Sequence, residues 1–472
     1  MTATKQDALK AADEFFSSGA FEQDLRRRVS YRTVSQDKGA RSQLDRYLRE
    51  VVEPELLELG FVCRRMHNPT PDRPDFLYAE RMEGRSLPTL LSYAHGDVVS
   101  GMDGDWSDGL APWTVTNRDG RWYGRGTADN KGQHAINLAA LRCVIKAKDG
   151  VLGYNLKLLF EMGEECSSPG LREFCRTYRD ILKADLFLAS DGPRLHLEQP
   201  TLYLGSRGSV LMELRCDARE QALHSGNWGG IIKNPAIILV NAISALVDGH
   251  GRLIVRELVP AEIPESVRKA LAGLDVSEET MGRPLDTNWG EPGLSAAEKL
   301  LGWNTFEVLT LDAGNADKPV NAIPPSARAH CQLRFVVGTD WQTVVPQVRA
   351  HLDANGFEDV EVKLIRGGPA TRLDPANHWV RWAAQSVESV LGVEPAINPN
   401  IGGTVPNDAF SDILGLPTIW VPHSYPGCRQ HGADEHIPHQ IVHDGLRMMA
   451  SLFWDYADTT EIRAETNTYQ SW

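Results

Sequence analysis

Acidic and imidazole side chains recur along the chain, each placed where an apolar, strand-like run ends. The set consists of His95, Asp97, Asp129, Glu164, Glu165, Asp191 and His431. In an open α/β sheet, polar residues at the carboxyl ends of strands meet at one edge, although long stretches of sequence separate them. Buried carboxylates and imidazoles need opposing charge, which a divalent cation supplies. Because nitrogen and carboxylate oxygen ligands suit zinc, the pattern predicts a metal centre.

Two of these segments keep a plain structural alternative when only the residues are considered. In His95-Gly-Asp97 both side chains point the same way in an extended backbone, so Asp97 can accept the ring N–H of His95 and orient the ring. A loop histidine beside a capping aspartate is the alternative. Asp129 follows Gly124 and Gly126 and precedes a helix. It either bridges two metal ions or caps that helix.

The adjacent carboxylates of Glu164 and Glu165 follow the apolar run 156–160. Side by side at the end of a buried strand they would repel each other and destabilise the fold. The conflict disappears if one binds metal and the other accepts a proton from a zinc-activated water. Two solvated glutamates in a turn are the alternative, and we favour the catalytic interpretation because the pair follows a strand.

Composition indicates a globular chain of 472 residues, long enough for two or three domains. Acidic residues exceed basic ones by 63 to 49, and the net charge of −14 argues against a nucleic-acid partner. We find no apolar stretch of membrane-spanning length and no secretory signal pattern at the N-terminus. The seven cysteines have no paired spacing, which is typical of a reducing compartment. The sequence therefore predicts a cytoplasmic protein without a membrane partner.

Alternating helix and strand patterns place the polar set in an α/β domain. Apolar residues at helical spacing predict helices over 44–52 and after Gly132, and 113–123 is typical of a hairpin. Buried strands with short connections predict a central mixed, mostly parallel sheet flanked by helices. From about residue 208 the pattern predicts an inserted, smaller α+β sandwich, within which 259–302 is poorly patterned. We therefore predict a catalytic domain of residues 1–207 and 373–472 and an insert of residues 208–372.

Together these segments resemble the zinc exopeptidases and amidohydrolases of clan MH. The nearest branch is that of carnosinase and cytosolic non-specific dipeptidase; acetylornithine deacetylase, succinyl-diaminopimelate desuccinylase and aminoacylase are more distant. The similarity runs from about residue 93 to residue 435. The matching segments are 95–97, 124–132, 161–165, 190–192, 205–208, 224–226, 321–325, 402–404 and 431–435.

The resemblance implies two zinc ions per subunit, which manganese or cobalt can replace. The implied ligands are His95 and Asp191 for one ion, Glu165 and His431 for the other, and Asp129 as a bridge. His431 is preferred as the last ligand because His-x-x-Asp-Glu matches the family segment. The other candidates are His423, His436, His439 and His443, and we expect the last three to surround a helix start and face solvent.

Further roles are implied for residues that would act beside the metal. Asp97 would orient His95, and Glu164 would be the general base and acid. His224 would stabilise the oxyanion, assisted by Asn321. The peptide bond after Asp129 is often cis in the family.

Two residues, one in the insert and one in the chain segment after it, match those that bind the carboxylate of the substrate in relatives. Arg334 would clamp this carboxylate with its planar guanidinium, and Thr404 would donate to it. A surface charge on a strand is the plain alternative for Arg334. The resemblance therefore implies a substrate with a free carboxylate.

The activity implied is hydrolysis of a peptide or amide bond next to that carboxylate, by zinc-bound hydroxide with Glu164 as base. A metallopeptidase acting on small dipeptides comes first, because Asp191 is the dipeptidase-like residue at its position. An N-acyl-amino-acid deacylase is the alternative, and a catalytically silent binding protein on the same scaffold is a third. Relatives dimerise through the insert, or lid, so we expect a homodimer. In relatives the histidine that matches His224 reaches across the dimer interface, and action of His224 within its own chain is the alternative.

Overall fold

The structure is a computed structural model of the chain and describes residues 3–459. Its described residues form two compact units. The first unit falls within Met1–Gly205, Leu373–Asn398 and Val405–Trp472, and the second comprises Ser206–Arg372 and Pro399–Thr404. None of the helices within residues 3–459 has the length and apolar character that crossing a bilayer would require.

An eight-stranded mixed sheet forms the centre of the first unit. In spatial order its strands are Val62–Met66, Phe76–Arg81, Asn155–Glu161, Thr89–His95, Leu186–Ala189, Thr418–Trp420, Thr201–Tyr203 and Ala396–Asn398. The third to sixth strands of this order run parallel, whereas antiparallel pairs occur towards both edges. The sheet confirms the predicted α/β class. The carboxyl ends of the four parallel strands therefore lie at one edge.

Helices flank this sheet and bury its apolar surface. They are Lys5–Ser17, Ala20–Val29, Arg41–Tyr47, Glu53–Glu58, Lys131–Ala147, Leu171–Thr177, His378–Leu391 and His439–Asp455. Lys131–Ala147 is the helix predicted after Gly132, and it packs against the first and last helices of the unit. The helix predicted over 44–52 begins at Arg41 and continues through a π-helical turn, Leu48–Val52.

A small three-stranded sheet lies beside the polar set. The predicted hairpin is present as the short strands Thr116–Arg118 and Arg121–Tyr123. A third strand, His436–Pro438, pairs with Arg121–Tyr123, and the sequence does not predict it. Because of this pairing, the loop that contains His431 runs next to the segment that leads to Asp129.

The second unit is built on a four-stranded antiparallel sheet. Its strands are, in order, Thr305–Asp312, Ser326–Phe335, Gly208–Asp217 and Val360–Gly368. The helices Pro235–Leu246 and Trp341–Ala354 pack on the sheet, burying Val210, Met212 and Leu214. Asn234 caps the first of these helices by accepting the Ala236 N–H at 3.0 Å. The expected α+β sandwich is therefore present.

Short elements complete the second unit. Strands Leu223–His224 and Ala322–Ile323 pair with each other, and a single helical turn, Ser225–Trp228, follows the first. The poorly patterned segment 259–302 contains the helices Glu265–Ala272, Glu278–Met281 and Ala296–Leu301. Capping boxes at Ser277 and Ser295 start two of them. Such short helices depend on caps rather than on apolar periodicity.

Candidate metal centre

The candidate ligands stand at strand ends of the first unit. His95 is the last residue of its strand, and Asp191 lies two residues beyond Leu186–Ala189. Glu164 and Glu165 begin a 3-10 turn just after Asn155–Glu161. Asp129 lies in the turn before helix Lys131–Ala147. The parallel strand ends thus bring together residues that are distant in sequence, as the pattern predicts.

The first group of possible ligands consists of His95, Asp129 and Asp191. His95 Nε2 lies 3.3 Å from Asp129 Oδ1 and 3.6 Å from Asp191 Oδ2. One ligand atom from each residue lies within 4.8 Å of the others. His95 is fully buried and Asp191 nearly so. Three donors at this spacing can surround one divalent cation.

The second group consists of Asp129, Glu165 and His431. His431 Nε2 lies 3.2 Å from Asp129 Oδ2 and 3.1 Å from Glu165 Oε2. Asp129 therefore belongs to both groups, with Oδ1 facing His95 and Oδ2 facing His431. A carboxylate whose two oxygens face different histidines is oriented to bridge two cations.

Two buried side-chain atoms without a hydrogen-bond partner indicate that a cation fits between the candidate ligands. His95 Nε2 and Glu165 Oε1 are buried and lack a hydrogen-bond partner among residues 3–459. Buried polar atoms are almost always partnered, so two orphans in one cluster call for an explanation. Imidazole nitrogen and carboxylate oxygen are zinc ligands. The donor set therefore matches a two-metal site.

The charge balance of the cluster supports the same fit. Burial raises the pKa of Glu164 well above its usual value, and the neighbouring carboxylates add to this effect. Burial also raises the pKa of Glu165, to about 7. Asp129 and Glu165 raise the pKa of His431 to about 11. The cluster is thus short of positive charge, and divalent cations would supply it.

Asp97 connects His95 with the two glutamates. His95 Nδ1 lies 3.1 Å from the backbone carbonyl oxygen of Asp97 and 3.3 Å from its Oδ1, and both contacts fit the predicted orienting role. The backbone N–H groups of Glu164 and Glu165 donate to its Oδ1 and Oδ2, at 3.2 and 3.1 Å. The sequence does not indicate these two hydrogen bonds, because the donors are backbone N–H groups, which do not depend on residue type. One buried carboxylate therefore fixes three residues of the site.

The turn around Asp129 is held to its neighbours. The Asp129–Asn130 peptide bond is cis, as the resemblance implies. Asn130 Nδ2 donates to the Ser190 carbonyl oxygen at 2.9 Å, which ties the Asp129 turn to the residue before Asp191. Gln430 Nε2 lies 3.3 Å from Asp129 Oδ2, a contact that the sequence does not predict.

Other histidines near the end of the chain are not part of the two ligand groups among the described residues. His423 is buried with Nε2 at 3.1 Å from Ser190 Oγ. The expectation that His436 faces solvent is wrong, because it is buried in the strand His436–Pro438. His439 begins the last helix as expected, but it stacks on Trp122 at 3.9 Å between ring centroids.

The remaining candidates form two pairs within the second unit. His224 is exposed beside Asn321, whose carbonyl oxygen accepts the Ser225 N–H at 2.9 Å. Arg334 Nη1 donates to Thr404 Oγ1 at 3.2 Å. The structure shows no carboxylate paired with Arg334 among residues 3–459, and burial lowers the pKa of its guanidinium. A half-buried, unpaired guanidinium beside a hydroxyl is suited to bind a carboxylate.

Known proteins resemble this chain over most of its length. It is 29% identical over 486 residues to the Cys-Gly metallodipeptidase dug1 of Schizosaccharomyces pombe, covering 96% of this chain and 97% of the relative. It is 27% identical over 417 residues to the cysteinylglycine-S-conjugate dipeptidase of Corynebacterium striatum, covering 83% and 86%. The beta-Ala-His dipeptidase of Rattus norvegicus is 27% identical over 405 residues, covering 80% and 79%.

Solved structures share the fold. The di-peptidase Dug1p of Saccharomyces cerevisiae superposes with a TM-score of 0.77 at 22% identity, covering 98% of this chain and 100% of that structure. Human carnosine dipeptidase 1 superposes with a TM-score of 0.74 at 22% identity, covering 96% of this chain and 100% of that structure. The sequence profile of Peptidase family M20/M25/M40 matches residues 91–455, which include every candidate metal ligand. The chain therefore belongs to Peptidase family M20/M25/M40.

Proposed function

We propose that the protein is a zinc dipeptidase that hydrolyses the peptide bond of small dipeptides next to their free carboxylate. The observation that carries this proposal is Asp129, which lies between two histidines with Glu164 close by. The relatives named above are dipeptidases, which favours a dipeptide over an N-acyl amino acid. The deacylase is the alternative, since it would use the same metal chemistry.

In this proposal the first unit holds two ions. The ligands would be His95 and Asp191 for one ion, Glu165 and His431 for the other, and Asp129 for both. Zinc bound by these residues would supply Lewis-acid activation of a water molecule and of the carbonyl to be attacked. Manganese or cobalt suits the same donor atoms.

Glu164 would move the proton. Before cations bind, burial and the neighbouring carboxylates raise its pKa, and a buried carboxyl group of this kind can serve as a general base. Asp97 fixes its backbone, which limits where that carboxylate can reach. Glu164 would take the proton from the attacking water and pass it to the leaving amine.

The second unit would bind the substrate. Arg334 and Thr404 would hold the free carboxylate, and the exposed His224 would donate to the oxyanion, with Asn321 beside it. An oxyanion donor of this kind contributes roughly 10²–10³-fold to kcat. Carboxylate recognition by a forked guanidinium would set the position of the bond to be cleaved.

We further propose a cytoplasmic homodimer that forms through the second unit. Strand Thr305–Asp312 is at the edge of its sheet and exposes Val308, Leu309 and Leu311. Helix Pro235–Leu246 exposes Ile237 and Val240. An exposed apolar edge strand tends to pair with another chain, and a second copy would cover it.

A substrate comparison with the metal-loaded protein tests the proposal. Zinc, manganese and cobalt forms would be assayed with free dipeptides and with N-acyl amino acids of the same C-terminal residue. We expect about two metal ions per chain and faster turnover of the dipeptides. Preference for the N-acyl compounds would identify a deacylase, and a protein that binds none of the three metals would contradict both.

A further inference from the structure

Glu435 is a fully buried carboxylate that none of the steps above uses. Its Oε2 accepts from Arg125 Nη1 at 2.6 Å. Its two oxygens also accept the backbone N–H groups of Gly126, Ala128 and Asp129, at 2.9 to 3.1 Å. A single side chain therefore binds most of the backbone donors in the turn that presents Asp129.

The same residue ends the loop that presents His431. Within this loop His431 and Asp434 adopt positive φ angles of +62° and +60°. Such conformations are costly for non-glycine residues and persist only where the surroundings impose them. Asp434 supplies one anchor, since its carboxylate accepts the Ser107 N–H and hydroxyl at 2.8 and 2.7 Å. Glu435, the next residue, holds the end of the loop against the Asp129 turn through the hydrogen bonds described above.

From these contacts we propose that Glu435 is a positioning residue that sets Asp129 against His431, and so shapes the ligand group Asp129, Glu165 and His431. This inference rests on the proposed two-metal function. A different hydrogen bond ties the Asp129 turn to the segment of Asp191: the Asn130 side chain donates to the carbonyl oxygen of Ser190, the residue before Asp191. The influence of Glu435 should therefore fall mainly on one of the two metal sites.

A purely structural ion pair would behave differently. Glu435 and Arg125 form a buried pair, and loss of one partner from such a pair destabilises a protein wherever it lies. That role predicts lower stability with no distinction between the two sites. Unequal loss of metal affinity is the readout that separates positioning from simple support.

Glu435→Gln provides the test. The amide preserves side-chain size, but its NH₂ would face Arg125 Nη1 or the backbone N–H groups, so donors would oppose donors. Zinc titration against a competing chelator would measure both affinities, and cobalt absorption spectra would report ligand geometry. We expect one ion to bind as in wild type and the other roughly 10–100-fold more weakly, as for other residues that orient metal ligands. We also expect kcat to fall more than KM rises.

Glu55→Gln is the matched control. Glu55 is a buried carboxylate that pairs with Arg28 and Arg142 and not with a ligand-bearing segment. This variant should lose stability and keep both metal affinities. Glu435→Asp retains the charge at shorter reach and should fall between wild type and Glu435→Gln.

Four results would be decisive. Wild-type affinity at both sites in Glu435→Gln, or equal weakening at both, would overturn the positioning role. If Glu435→Gln does not fold, the same titration of Glu435→Asp decides, because unchanged affinities there would also overturn it. A wild-type protein that binds no metal would instead refute the proposed function, which keeps the two failures distinct.

Discussion

Glu164 and Glu165 are neighbours in sequence with different surroundings in the site. Glu165 Oε2 lies 3.1 Å from His431, whereas Glu164 is in neither ligand group among the described residues. Asp97 binds the backbone N–H of both, so their side chains leave the turn from fixed positions. These different surroundings fit the two separate tasks that are proposed for the adjacent carboxylates.

Removal of the Glu164 carboxylate should separate catalysis from metal binding. We expect Glu164→Ala to lower kcat by roughly 10²–10⁴-fold, the usual contribution of a general acid–base group. Metal content should stay at the wild-type value, because the ligands are other residues. Elemental analysis and single-turnover assays would measure both. Retained turnover, or metal loss in parallel with activity, would contradict this assignment.

At the scale of residues, the sequence indicates candidate ligands but not the hydrogen bonds that support them. His95, Asp129 and Asp191 lie at strand ends, and a strand end is visible as an apolar run that stops. The bonds made by Asp97 and Glu435 go to backbone N–H groups, which every residue except proline carries. Such a hydrogen bond cannot be predicted from residue type, and it is visible only in the structure.

At the scale of elements, helix Lys131–Ala147 begins in close contact with the turn before it. A Cβ at Gly132 would overlap the Thr127 carbonyl oxygen, a backbone atom that cannot rotate away. Gly132 therefore permits the approach that places Asp129 at the start of the helix. A glycine is required here by space rather than by an unusual φ angle.

Gly132→Ala should consequently strain both the helix start and the metal centre. We expect a loss of about 1–3 kcal/mol in the free energy of unfolding, as for other overpacked interior sites. Zinc affinity should fall as well, because the Asp129 turn must shift. Gly104→Ala is the control, since its Cβ would meet no atom within 4 Å. Denaturant unfolding would measure the first effect and chelator competition the second; equal behaviour of the two variants would contradict the close-contact explanation.

The sequence predicts the helices and strands that have a strong periodic pattern of apolar residues. It does not predict the short elements whose position depends on tertiary contacts. The buried stripe of helix Lys131–Ala147 is visible in the sequence because its apolar residues recur at helical spacing. Strand His436–Pro438 has three residues, too few for a periodic pattern, and its position depends on its pairing with Arg121–Tyr123. The site nevertheless depends on that pairing, because it fixes the end of the His431 loop.

At the scale of the whole molecule, the proposed metal ions would join segments that are far apart in the chain. Residues 95, 129, 165, 191 and 431 contribute to the two ligand groups. A ligand that binds only the folded chain stabilises it by about 2.7 kcal/mol when its free concentration is 100 times Kd. Chelation should therefore lower Tm, and zinc should restore it. Scanning calorimetry with and without chelator would measure this, and an unchanged Tm would argue against metal ions as cross-links.

Subunit assembly leads to the last prediction, which concerns His224. If the proposed homodimer forms and His224 acts across its interface, each active site contains a residue of the partner chain. His224→Ala and Glu164→Ala should then each be nearly inactive, yet a mixed dimer has one site with both defects and one with neither. Activity per heterodimer should approach roughly half that of wild type, as twofold symmetry requires.

The mixing experiment has an internal control. Each single variant would also be mixed with a chain that carries both substitutions, a combination in which no site is intact and activity should stay at background. Differently tagged chains would show that subunits exchange and how many heterodimers form. If exchange occurs and the two single variants still give only background activity, His224 acts within its own chain or takes no part in the reaction. Recovery of activity would instead place the oxyanion donor in the partner, because the intact site of a heterodimer can only arise from both chains.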